Sequence, residues 1–517
     1  MSEMMAKTLS FGVSGVNGFP VHVEVFCMNG LPMMEIIGLP DTSVRESRDR
    51  VSAAIINSGR EINPPKRVTI NLAPADMRKE GPSFDLPIAV GVMIASGAMH
   101  PVPERDPVNT AMFGELSLDG LVQPVNGVLP MVISAKENGV RDIILPTANA
   151  KEAACIEGLR IIPVASLEEV IAYLEGKTDI VPQEQISFET LQRDTGFPVD
   201  MAQIKGQTAA RRALEVAAAG GHNIIMVGVP GSGKTMLARS VPGILPPLTF
   251  EEALETTRIH SISGKLPSGS GLMVIRPFCA PHHSASVASL IGGGQDAKPG
   301  EVSLAHNGVL FLDELPEFSR SALEALRQPL EDGIVSVSRV KRQAQYQSSF
   351  MLIAAMNPCP CGYFGSSRRP CRCTPPEIRR YLDRVSGPLL DRIDIQIEVD
   401  AVPVSEISSQ QPSESSAAVA ARVAAARTLQ QERYRGTRHY CNAQLDSHEI
   451  RRFCSPDPEA QKLLNMAVDT MHMSMRAYNR ILKVARTIAD LAGEDAISTP
   501  HIAEAIQYRE LDQKYWS

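Results

Sequence analysis

Residues Gly228, Val229, Pro230, Gly231, Ser232, Gly233, Lys234 and Thr235 run consecutively with the spacing G-x-x-x-x-G-K-[ST] of a phosphate-binding loop. The glycines let backbone N–H groups close around phosphate oxygens, and a helix starting at the end of the loop turns its positive end toward the charge. Lys234 is placed to reach the β- and γ-phosphates of ATP, and Thr235 to ligate Mg²⁺. The apolar run 223–227 suits a buried strand before the loop, and helix formers follow from Met236. Downstream, the apolar run 309–312 ends in Asp313 and Glu314. A buried strand of this kind delivers one carboxylate to a Mg²⁺ shell and the next to the attacking water. A third apolar run, 350–356, ends at Asn357, an amide suited to positioning the same water. The chemistry predicted from these residues is ATP hydrolysis.

Two cations could complete it. Arg392 lies in Gly387-Pro388-Leu389-Leu390-Asp391-Arg392-Ile393-Asp394, beyond the third apolar run. In ring ATPases such an arginine reaches a neighbour's site and stabilises transition-state charge; the alternative is a local ion pair with Asp391 or Asp394. Arg476 opens a helix whose apolar residues, Ile481, Leu482, Val484, Ala485, Ile488 and Leu491, have helical spacing. An arginine there could touch a γ-phosphate, or simply sit on a solvated face. Four of nine cysteines fall at Cys359, Cys361, Cys371 and Cys373, two C-x-C pairs that can offer thiolates to one tetrahedral Zn²⁺. The alternative is four reduced, unliganded thiols. His282 and His283 are adjacent, so their side chains diverge and a two-histidine metal site is not expected; residues 261–300 around them read as a Gly-rich insertion loop.

The elements that must hold these residues follow from pattern and length. A chain of 517 residues has room for about three domains. Residues 1–175 mix strand-like runs (21–26, 67–72) with helical ones (43–58, 86–96). Residues 176–200 read as a polar linker, 201–400 alternate strands with helices as a mostly parallel sheet requires, and 401–416 form a flexible Ser/Gln/Glu/Pro segment. From 417 to 517 the chain is helical. No run of eighteen apolar residues and no signal pattern occurs, which places the protein in the cytoplasm, off the membrane. A net charge of −7 excludes DNA binding by bulk basicity, so any such binding needs local patches. Nine cysteines in a long cytosolic chain do not suggest a disulfide framework.

The motifs above, together with Gly38-Leu39-Pro40-Asp41, Asn71-Leu72-Ala73-Pro74-Ala75-Asp76, Pro281-His282-His283-Ser284-Ala285-Ser286, Leu312-Asp313-Glu314-Leu315-Pro316-Glu317-Phe318 and Ser474-Met475-Arg476-Ala477, resemble the magnesium-chelatase-like branch of AAA+ ATPases, in its competence-associated ComM/YifB type. The resemblance covers nearly the whole chain. It implies a multidomain α/β protein: an N-terminal Lon-protease-like α+β domain, an AAA+ P-loop α/β core and a C-terminal helical lid. It also implies a homo-hexameric motor, assembled with nucleotide, that moves single-stranded or branched DNA and aids integration of imported strands in natural transformation. Sensor roles for Asn357 and Arg476 come with it, Arg476 acting on a neighbouring subunit's nucleotide. A metal-insertion chaperone ATPase is the rival within the same branch.

Gly114-Glu115-Leu116-Ser117-Leu118-Asp119-Gly120 and Pro124-Val125-Asn126-Gly127 are similar to the proteolytic domain of Lon proteases, with Ser83 near the place of the nucleophile. That chemistry needs a lysine as base. None occurs until Lys136, past the expected place, so an ATP-dependent protease is the less favoured alternative and a DNA or partner platform the expected role. Residues 334–346 set Val335, Val337 and Val340 against Ser336, Ser338, Arg339, Lys341 and Arg342, the alternation of a β-hairpin. In related motors such a hairpin grips the phosphate backbone in the ring's channel; an ordinary solvated hairpin is the alternative.

Overall fold

Strand Asn17–Asn29 buries Val21, Val23, Val25 and Cys27, and strand Lys66–Ala73 buries Val68, Ile70 and Leu72. A period of two puts each set on one face of a sheet. Helix Asp85–Ser96, apolar nearly all round, covers that face together with Val44, Val51 and Ile55 of helix Thr42–Asn57. The other face, carrying Leu9, Phe11, Ala111 and Ile143, is covered by helix Val128–Glu137. The sheet has seven strands, ordered Met33–Ile37, Lys66–Ala73, Asn17–Asn29, Met5–Ser14, Thr110–Met112, Asp142–Pro146 and Arg160–Val164. It is mixed. Asn17–Asn29 runs antiparallel to both neighbours, and the remaining pairs are parallel. Gly15, at φ 61, stands in the two-residue turn between the first two strands, where a left-handed backbone joins them without splay.

The computed structural model describes every residue except 1–3, 194–195, 198, 267–271, 294–297, 340–341, 367–368, 403–412, 438 and 517. It divides into two compact units, residues 1–194 with 250–274, and 195–249 with 275–517. The composition of the first unit departs from the sequence reading in one respect. Residues 250–274 lie inside the 201–400 stretch but pack in the first unit, because Phe250, Leu254 and Leu272 have their apolar partners there. Helix Phe188–Arg193, inside the presumed linker 176–200, is held to the same core by Phe188, whose ring meets Phe250 edge-on at 5.6 Å.

The second unit is built on a five-stranded parallel sheet, ordered Phe278–Cys279, Val309–Leu312, Met351–Met356, Ile224–Val227 and Ile395–Glu398. Every residue of Val309–Leu312, Met351–Met356 and Ile224–Val227 is buried, as expected of a parallel sheet covered on both faces. Helices Thr208–Gly220, Ser416–Arg433 and Met475–Ala492 share its core through Leu214, Val423 and Ile481. Strands Ile334–Arg339 and Arg342–Gln347 pair antiparallel as the expected hairpin, with Val335 and Val337 buried. Val340 and Lys341 at its tip lie outside the described residues, as does most of 401–416. Among the described residues no helix is long and apolar enough to cross a membrane.

Candidate functional site

Sites on open parallel sheets gather at the carboxyl ends of the strands. Strand Ile224–Val227 ends there in the glycine loop, and helix Lys234–Ser240 starts directly from it. Gly231 at φ 77 and Gly233 at φ 93 take backbone angles that a side chain would strain. Gly228 has no room for one, since a Cβ would stand 2.2 Å from the Val399 carbonyl oxygen. Lys234 is folded back into this loop, its Nζ donating to the carbonyls of Gly228 at 2.7 Å and Val229 at 3.0 Å and approaching Asn357 Oδ1 at 3.4 Å. Burial holds its pKa below the ordinary lysine range, opposed by the charges of Asp313 and Glu314. A buried cation satisfied mostly by carbonyls is a place where an anion binds.

The neighbouring strands bring the acidic partners to the same edge. Asp313 Oδ2 accepts from Thr235 Oγ1 at 3.0 Å, so a hydroxyl and a carboxylate oxygen converge, the hard-ligand chemistry Mg²⁺ prefers. Asp313 Oδ1 accepts from the Glu314 N–H at 3.0 Å. Glu314 itself takes a left-handed backbone at φ 53, which turns its side chain out of the strand direction. Asn357 follows strand Met351–Met356, between the glycine loop and the Asp313 strand.

Arg392 and Arg476 are elsewhere. Ile395 is paired in register with Ile224, and the Arg392 carbonyl accepts from Asn223 Nδ2 at 2.9 Å, so Arg392 sits at the amino-terminal edge of the sheet. The phosphate loop leaves the opposite edge, a strand length of roughly 10 Å away before the turns at either end are counted. Arg392 donates to the Pro388 carbonyl at 2.7 Å and pairs with Glu331, a partner the sequence did not suggest in place of Asp391 or Asp394. Its Nε is buried without an acceptor. Arg476, with a side chain 72% exposed, pairs with Asp391 at 2.9 Å and so belongs to the same edge. Asp394 is taken by His222, whose other ring nitrogen meets Thr487 Oγ1 at 2.8 Å.

Two further features flank the loop. Strand Phe278–Cys279 pairs with the Asp313 strand, and the chain beyond it brings His283 Nδ1 within 3.0 Å of Glu314 Oε2. Sequence pattern did not reveal this contact, because it depends on which strand neighbours which. The sulfurs of Cys359, Cys361 and Cys371 lie 3.4, 3.6 and 3.7 Å apart, and with Cys373 all four ligand atoms fall within 4.8 Å of one another. Tetrahedral Zn–S bonds of about 2.3 Å would set the sulfurs about 3.8 Å apart. Four clustered thiols titrate against one another. N–H groups, that of Arg372 foremost, hold Cys361 down to about 6, whereas burial and the neighbouring thiols push Cys373 up to about 12. The cysteine loop also rests on the phosphate loop, since a Cβ on Gly362 would stand 2.6 Å from Pro230 Cγ.

In the first unit Ser83 is buried, and Lys136 is exposed on helix Val128–Glu137. The lysine nearest Ser83 in sequence is Lys79. It is fully buried and donates to the carbonyls of Pro74 and, at 2.8 Å, Met77.

Comparison with known proteins follows these divisions. The family description "Magnesium chelatase, subunit ChlI" matches residues 200–407, "Subunit ChlI of Mg-chelatase" matches 23–149, and "Magnesium chelatase, subunit ChlI C-terminal" matches 413–509. The chain is 44% identical over 505 residues to the uncharacterized protein YifB of Escherichia coli, spanning 96% of each. It is 42% identical over 518 residues to the competence protein ComM of Haemophilus influenzae, spanning 98% of each. A shorter similarity, 36% over 99 residues, links it to Lon protease 2 of Bacillus subtilis.

Proposed function

The chain belongs to the magnesium-chelatase-like family that includes YifB and ComM, and on that premise we propose that it is an ATP-hydrolysing ring motor acting on DNA. We read residues 1–175 as a Lon-protease-like domain without a complete catalytic dyad, 201–400 as an AAA+ core and 417–517 as its helical lid. The observation that carries the reading is the division of charge across the parallel sheet. Lys234, Thr235, Asp313, Glu314 and Asn357 gather at one edge, while Arg392 and Arg476 are anchored at the other. Cations set a strand's length from their own phosphate loop serve a neighbour's nucleotide, which calls for a closed ring; we take it to be a hexamer.

In this reading Lys234 binds the phosphates, Glu314 orients and deprotonates the water, and Asn357 holds that water from the other side. Thr235 and Asp313 would hold Mg²⁺, which neutralises phosphate charge when bound. Cys359, Cys361, Cys371 and Cys373 would hold a structural Zn²⁺ that braces the cysteine loop against Pro230.

The name of ComM supports a role in competence, and hence branch migration that helps imported DNA integrate. The chelatase descriptions along the chain favour a second reading, an ATPase that chaperones metal insertion. Turnover measured without DNA and with single-stranded, duplex and forked DNA separates them. The motor should be stimulated by single-stranded or forked DNA, and Glu314→Gln should bind ATP without hydrolysing it. A rate indifferent to every DNA would favour the chelatase-like reading.

A further inference from the structure

The contact between His283 and Glu314 is not explained by the chemistry above. A base that takes a proton from water needs a carboxylate oxygen free to accept it. Here Oε2 of Glu314 faces His283 Nδ1 at 3.0 Å, a distance at which a protonated Nδ1 donates. A hydrogen bond to the charged carboxylate lowers its basicity and fixes its direction. The histidine is itself held. Its ring lies against that of His282 at 4.1 Å between centroids, and His282 Nδ1 meets Ser284 Oγ at 2.8 Å. With side chains 35% and 52% exposed, the pair has solvent around it and can separate without opening a core.

The segment that carries His283 leads to the hairpin. Ser286 caps helix Val287–Ile291 by accepting from the Ser289 N–H at 3.1 Å, and Leu290 of that helix is fully buried. The helix ends at Gly292, where φ is 108 and a Cβ would stand 3.3 Å from Cγ2 of Val337. Val337 lies on hairpin strand Ile334–Arg339 and is 5% exposed. A displaced hairpin therefore presses on the element that positions His283, through packed atoms rather than across solvent.

We propose that His283 restrains the Glu314 carboxylate while the hairpin is empty, and that DNA on the hairpin withdraws it and so switches hydrolysis on. His283 is a positioning residue acting through Glu314. The restraint stands on the contact alone; its control by DNA rests on the motor reading given above.

Steady-state turnover of the full chain, with and without a single-stranded oligonucleotide, tests both parts. In His283→Ala the DNA-free rate should rise about tenfold, the worth of one hydrogen bond to a charged group. The DNA-saturated rate and DNA affinity should stay near wild type, so the stimulation ratio collapses. His283→Gln, whose amide can donate in place of Nδ1, should keep the low DNA-free rate. A His283→Ala protein that loses turnover with and without DNA alike, or keeps both rates of the wild type, overturns the restraint. A raised DNA-free rate with an undiminished stimulation ratio overturns the control by the hairpin. If no DNA stimulates the wild type, the motor reading fails, while the DNA-free comparison still decides the restraint.

Discussion

Four sulfurs at 3.4 to 3.7 Å contacts within one loop are too far apart for disulfides, whose S–S bond is about 2.05 Å, and close to what a shared tetrahedral cation requires. Without a cation the four cannot all ionise, because each thiolate opposes the next. Protein purified without chelators should carry about one zinc per chain by elemental analysis, and Cys361→Ser with Cys371→Ser should abolish it. Because Gly362 rests on Pro230, losing the metal should loosen the phosphate loop and raise KM for ATP more than it lowers kcat. Metal-free protein with unchanged KM would assign these cysteines no such part. At this scale the sequence was legible wherever chemistry is local. The phosphate loop, the strand-terminal carboxylates and the paired cysteines are runs of neighbours, and their types and spacing are their geometry. His283 and Glu331 were not legible, since each finds its partner across a strand register or a turn that no local pattern encodes.

Among the elements, helix Phe250–Ser263 shows what periodicity leaves undecided. Its apolar residues announce a buried face, but a pattern does not say which core receives it. It joins the first unit, where Ser261 Oγ donates to Glu152 Oε1 at 2.7 Å and the same oxygen accepts from the Leu129 N–H at 3.2 Å. Burial raises the pKa of Glu152 above its ordinary value of 4.5, outweighing these hydrogen bonds. The sign follows from linkage. A group whose folded pKa is raised contributes stability that is full below the unfolded value and is lost as pH climbs through the folded one. Glu152→Gln, neutral at every pH and still able to accept, should therefore melt progressively higher than wild type as pH rises from about 4.5, and match it at lower pH. Ser261→Ala, which strips a donor from a buried acceptor, should cost about 1–3 kcal/mol. A pH-independent difference between Glu152→Gln and wild type in thermal melts would mean that Glu152 does not titrate in the fold. Truncation at the apparent linker 176–200 would also remove this helix from its unit, a consequence invisible in a linear reading.

For the molecule as a whole, the sheet polarity that gathers the phosphate loop and carboxylates at one edge also denies them Arg392. The denial is geometric, since Asn223 ties the Arg392 backbone to the start of the strand that ends at the loop. Within the chain Arg392 has Glu331 and the Pro388 carbonyl, and a buried Nε with no acceptor. An assembled ring would offer the missing anion from the next subunit's nucleotide. Arg392→Ala should therefore bind ATP as wild type does but hydrolyse it about 10³-fold more slowly or worse, the range for loss of a full arginine finger. Lys234→Ala should bind no nucleotide. Mixed after subunit exchange has been verified, the two inactive proteins should regain part of the activity, because some interfaces then join an intact phosphate loop to an intact arginine. The regained rate should peak at intermediate ratios and vanish at both extremes. Exchange without any recovered turnover would return Arg392 to the role its visible partner suggests, an ion pair with Glu331 at the base of the hairpin. Recovery would make hydrolysis a property of the interface, so that each subunit's chemistry reports on its neighbour.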